Sequence, residues 1–246
     1  MATTVASSRS QRNLGIGVVA AGIALALVAL FVPLWGFTFQ ISIGGGGSGS
    51  ADLYTYLDGQ YTVVSSSNST KLSCPLSGGN ASQCDSLNAT ARFYGALESL
   101  VVGGVVAAVL GIGLVLWRAP DGPTVARRER WGFVATLLAG ALVIGAAVGL
   151  AVVQPYVFSL DSPPNSNSPF GELPSWCHHG PDATFWAGCT STGNEFIKWG
   201  PGVGWFLLLV AGVLLLLGAF FLRTRVSAVP VPAAARAARP TAARPQ

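Results

Sequence analysis

Four cysteines carry the most open chemistry in this chain: Cys74 and Cys84 in "KLSCPLSGGNASQC", and Cys177 and Cys189 in "CHHGPDATFWAGC". Cysteines so placed can ligate a metal, exchange electrons or close loops. Cys177, His178, His179 and Asp182 are residue types that hold zinc or copper. Adjacent histidines project differently, however, and no second C-x2-C or H-x3-H pair completes a shell, so the reading is no metal and no cofactor. Redox exchange favours a C-x-x-C pair, whose close spacing lowers the thiol pKa and gives an easily exchanged bond. Here nine residues separate Cys74 from Cys84 and eleven separate Cys177 from Cys189. Closing a loop of that size is worth ~3 kcal/mol, which suits a staple. Sequence permits three connectivities; two local bridges are the simplest, and a bridge between the two segments is the main rival.

Other reactive types are sparse. Glu98 is the ionisable residue inside a long apolar run, and such a residue is a functional candidate by default. Its place near one end of the run, with Arg92 six residues earlier, suits a carboxylate at a membrane interface that hydrogen-bonds to a loop. Three N-x-[ST] sequons stand at Asn68, Asn80 and Asn88. No convergent acid, base and nucleophile can be assembled, so no enzyme is expected.

The elements that must position these residues follow from composition. Half of the 246 residues are apolar (51%), 10% are charged and mean hydropathy is +0.54, which is membrane composition. A bilayer core of ~30 Å needs ~20 apolar residues at the helical rise. Four segments qualify, at 14–36, 93–117, 131–154 and 200–222. The first follows Arg9 and Arg12 as a signal peptide would, but its apolar run is long and "FVPLWGFTF" offers no small-x-small cleavage site. It is read as a retained signal-anchor helix.

Eleven of the fourteen Lys and Arg residues lie in the N-terminus (1–13), the short loop 118–130 and the tail 223–246, whereas seven of the ten acids lie in loops 37–92 and 155–199. By the positive-inside rule both termini are cytoplasmic and those two loops face outward, giving a multi-pass protein of the plasma membrane. Trp35, Trp199 and Trp205 then fall at outer helix ends, Trp117 and Trp131 at inner ones. All four cysteines fall on the outer side, where thiols pair. The pI near 9.1 reflects this arginine fringe and not a nucleic-acid partner. The tail of Ala, Pro and Arg is expected to be disordered and to touch anionic headgroups.

Loop 37–92 has strand character. "FTFQISI" alternates, and "LYTYL" and "YTVV" flank Asp58-Gly59-Gln60, a strong hairpin signal. Between them "GGGGSGS", residues 44–50, is read as a flexible link. Loop 155–199 opens with the Pro- and Asn-rich "SPPNSNSPFGELP". The fold expected is an all-α membrane protein, a four-helix transmembrane bundle with a small extracellular β-sheet from the first outward loop. Small residues at spacings of four, Gly103, Ala107 and Gly111 in the second helix and Ala141, Gly145 and Gly149 in the third, mark packing faces, within the chain or between copies in a homo-oligomer.

Four helices with both ends inside, a larger first outward loop with strands and a cysteine pair, and a short cytoplasmic turn resemble the claudin and peripheral-myelin-protein class of tetraspan proteins. Trp35 in "VPLWGF", the Cys74 and Cys84 pair, and Arg92 before the second helix carry the resemblance. It implies a structural or interaction role, by lateral association, adhesion or barrier formation, with the bilayer and other membrane proteins as partners. Two alternatives from other classes are a small channel or transporter subunit, and a quinone-linked disulfide-generating oxidoreductase, which also places two cysteine pairs in two outward loops.

Overall fold

The computed structural model describes residues 3–43, 47–65, 70–75, 88–117, 122–161, 187–190 and 196–222. Four α-helices, α1 (Thr3–Ala29), α2 (Asn88–Leu116), α3 (Gly122–Asp161) and α4 (Val203–Leu222), are each long and apolar enough to cross a membrane. The apolar stretches begin at Ser10 in α1 and span Arg127–Gln154 in α3.

The helix boundaries differ from the sequence expectation in both directions, α1 stopping short at the sheet end and α2 and α3 running longer. α1 ends at Ala29, so Trp35 lies in a strand and not at a helix end. α2 starts at Asn88, which puts Arg92 inside the helix. Residues 122–130, expected as loop, are the first turns of α3, and α3 runs through Pro155 to Asp161 instead of stopping at 154. Backbone amides gain from continuing a hydrogen-bonded helix beyond the apolar run, so hydropathy marks the part of a helix that fits in lipid and not the helix itself.

α2 packs along α3, α3 along α4 and α4 along α1, while α1 and α2 touch only lightly. Close approach at glycine makes these seams. A Cβ on Gly104 would meet Val143 Cγ2 at 2.9 Å and the Ala139 carbonyl oxygen at 3.1 Å; one on Gly111 would strike Thr136 Oγ1 and lie 2.9 Å from the Gly132 carbonyl oxygen. Of the expected packing residues, Gly111 is buried, Ala107 packs against the core and Gly149 faces Leu97, whereas the others give way to neighbours. Gly104, Ala108 and Gly111 are buried on α2, and Ala139, Gly140, Val143, Ala146, Ala147 and Leu150 on α3. Gly103, Ala141 and Gly145 are exposed, and Gly145 meets nothing. Small residues occur on both sides of each helix, and spacing alone does not say which side meets protein.

One antiparallel sheet of six strands caps the bundle, in the order β4-β3-β2-β1-β6-β5. β1 is Trp35–Ile43, β2 Gly47–Thr55, β3 Gln60–Ser65, β4 Thr70–Pro75, β5 Ala187–Thr190 and β6 Phe196–Pro201. The β2–β3 hairpin forms at Asp58-Gly59 as its sequence predicts: Gly59 adopts φ +77°, and Asp58 Oδ1 accepts a bond from the Gln60 amide at 3.2 Å. Two expectations are overturned. Gly47–Ser50, read as part of a flexible link, pairs with Gln40–Ile43, because the ladder uses backbone groups that glycine possesses and β1 supplies the template. Nor does the sheet come from the first loop alone. β6, from the second, pairs Phe37 with Trp199 and Trp35 with Pro201, and β5 joins it at the edge.

Candidate functional site

Strand alternation sorts the sheet into two faces. One holds the rows Trp199, Phe37, Leu53 and Trp35, Thr55, Tyr61, Cys74, all buried and continuous with the helical core that includes Leu34, Tyr94, Leu97 and Trp205. Phe37 and Trp199 stack with centroids 6.3 Å apart and planes 9° from parallel. The other face carries Lys198, Thr38 and Asp52 in one row and Gly36, Tyr54, Thr62 and Ser73 in the next, exposed or half-exposed except for the buried Thr62. An alternating sheet laid on an apolar bundle has no other stable orientation. Partial burial, the neighbouring Asp52 carboxylate and Tyr56 raise the Tyr54 phenol above its ordinary range.

The turn from α1 into β1 locks the sheet to the helices. The Leu34 amide donates to the Thr55 carbonyl at 2.9 Å, the Gly202 amide to the Leu34 carbonyl at 2.8 Å and the Gly204 amide to the Pro33 carbonyl at 2.8 Å. Gly202 is required there, since a Cβ would run into the Pro33 carbonyl. Beneath these bonds Thr55 Oγ1 lies 3.3 Å from the Trp35 carbonyl and 2.7 Å from Tyr94 Oη. Thr55 has one proton, and the carbonyl can only accept, so Thr55 donates to Trp35 and Tyr94 donates to Thr55. That chain of hydroxyls joins α2, β2 and β1. On the far side of α4, Trp205 Nε1 donates to the Ala147 carbonyl of α3 at 2.8 Å.

The residues singled out from sequence are distributed as follows. Trp35 is buried (2% exposed) at the centre of the junction. Cys74 is buried on β4 opposite Tyr61, and Cys189 lies on β5 opposite Ile197. β4 and β5 are the two edge strands of the sheet. Cys84, Cys177, Asn68, Asn80, His178, His179 and Asp182 lie outside the described residues. Asn88 is exposed at the first position of α2; Arg92 and Glu98 are exposed further along it. The structure does not gather these residues into one cluster. Much of the two loops to which Glu98 was expected to bond lies outside the described residues. Among the described residues no group of three metal-ligating side chains comes together.

Sequence reasoning passed over Gln154. It is fully buried in α3, and neither its Nε2 nor its Oε1 has a hydrogen-bond partner. Its signal was a polar residue closing the charge-free apolar run that begins at Trp131, just before Pro155. No family model matches the chain, and no curated protein matches it.

Proposed function

We propose that the chain is a non-enzymatic tetraspan membrane protein whose two sheet-forming loops face outward from the plasma membrane and act in lateral association or adhesion, in the manner the likeness to the claudin and peripheral-myelin-protein class implies. The observation that carries this reading is the single sheet drawn from both loops, bound to the bundle through its apolar face and leaving a polar face of Lys198, Thr38, Asp52, Tyr54 and Ser73 free of the helices. A rigid surface of mixed charge is suited to recognition: charged and polar groups fix register and partner choice. A clasp from Cys74 to Cys84 would hold its edge strand; in support, Cys74 carries no free thiol and faces the buried side. Cytoplasmic termini and use of the sequons belong to the same reading, which the charge asymmetry supports. A channel or transporter subunit is the second reading, favoured by the unpartnered Gln154 amide in the bundle.

Photo-crosslinking from position 38 in intact membranes tests the proposal. Discrete adducts that vanish when Asp52 and Lys198 are neutralised support it; a protein that stays monomeric at every sheet position overturns it. Thiol counting with reductant and quinone separates the oxidoreductase, which requires a readily cycling pair.

A further inference from the structure

At the end of the bundle away from the sheet, α1 begins, α2 ends and α3 begins. Four arginines lie there within the described residues whose side chains are placed, Arg12 on α1 and Arg127, Arg128 and Arg130 on α3, with Glu129 between them. The Arg128 guanidinium lies over the indole of Trp117, at the end of α2, 5.2 Å from its centroid, and its Nη1 is buried without a hydrogen-bond partner. Arg12 Nε is likewise buried and unpartnered. Trp117 (68% exposed) and Trp131 (56%) put this region at the depth where indoles meet headgroups.

A guanidinium seated over an aromatic ring gives up rotamer freedom, and its planar fork of donors matches a phosphate in two-point contact. Arg127 and Arg130 stand one turn apart on the same helix, so their charges add to the field there. From these features we infer that Arg128, fixed by Trp117 and backed by Arg127 and Arg130, is a binding site for the phosphate of an anionic membrane lipid. The site takes a lipid in preference to free phosphate because Trp117 and Trp131 flank it with exposed apolar surface where acyl chains begin. It is independent of what the sheet recognises.

The full chain in nanodiscs of phosphatidylcholine, with and without phosphatidylglycerol, provides the test, with lipid adducts counted by native mass spectrometry. Phosphatidylglycerol is expected to be retained over phosphatidylcholine by at least about fivefold, the factor one interfacial arginine supplies. Arg128→Gln should bring that ratio to near one, Arg128→Lys should leave it intermediate, and Trp117→Leu should weaken it with all charges kept. Equal retention of both lipids by the wild type, or an unchanged ratio in Arg128→Gln, overturns the site. If the Gln variant does not fold, the Lys and Leu variants decide: no change in either overturns it. Displacement of the lipid by millimolar inorganic phosphate overturns the lipid assignment, and resistance to it supports that assignment.

Discussion

At the sheet end of the bundle, three backbone hydrogen bonds, a two-hydroxyl chain and an aromatic stack tie β1, β2 and β6 to α2 and α4 in one core. At the opposite end, a cation–π contact joins Trp117, at the end of α2, to Arg128 of α3, and Arg128 Nη1 and Arg12 Nε have no hydrogen-bond partner. Between the two, helices meet through small residues with almost no polar contact. The difference follows from solvent. In hydrocarbon there is no hydrophobic drive between helices, so close backbone contact does the work; above it, aromatic area and hydrogen bonds can be used together. The sheet end is thus fixed in shape, whereas the arginine end keeps donors for outside ligands.

The strongest break in that contrast is Gly202→Val. Its Cβ would collide with the Pro33 carbonyl and separate two hydrogen bonds that seat β1. Overpacking with loss of both bonds should cost about 3–5 kcal/mol, seen as a large fall in melting temperature in nanodiscs. Unchanged melting would show that the junction does not hold the sheet.

Gln154→Met should act with the opposite sign. It replaces a buried amide with two unpartnered atoms by an apolar side chain of similar length, and removing unsatisfied groups should raise stability by about 1–3 kcal/mol. A loss instead would mean that the amide is bonded to water or a ligand in the membrane, which would sharpen the channel reading.

Tyr94→Phe removes the donor to Thr55 Oγ1 and keeps the ring. Its cost should be about 1 kcal/mol, measured by thermal unfolding, and a double cycle with Thr55→Val should return most of it.

How far the sequence anticipated this contrast depends on the length of each signal. Runs of some twenty apolar residues have a single physical explanation, so all four helices were legible, along with the Asp58-Gly59 turn, where a positive φ needs glycine. β6 was not, because "FIKWGP" borrows its partner from Trp35–Gln40, more than 150 residues earlier, and pairing at that distance leaves no local pattern. Gly47–Ser50 looked structureless for a related reason: its strand is imposed by β1. Trp35 was noticed for its type, but its role as the anchor between sheet and bundle needed the register. Glu98 stood out as the charge in an apolar run, yet it is exposed, while the buried anomaly was neutral Gln154. Hydropathy weighs charge most heavily, and an amide beside a proline passes for a helix end.

The smallest expected effect tests the outward face itself. Tyr54 ionises above the ordinary tyrosine range, first through partial burial and then through Asp52 and Tyr56. Because the folded state holds this proton more tightly than the unfolded chain, the contribution to stability is present below the ordinary tyrosine pKa and lost as pH rises through the folded value. Asp52→Asn removes the second cause and leaves the first, so phenolate absorbance should appear at somewhat lower pH while remaining later than for free tyrosine. The same variant should leave thermal stability at neutral pH nearly unchanged, since exposed charge pairs are worth little. If the Tyr54 titration does not move, Asp52 does not act on it across the sheet surface, and the two residues cannot serve as one recognition patch. If it moves without loss of crosslinking from position 38, the patch is electrostatically coupled but its charge does not select the partner.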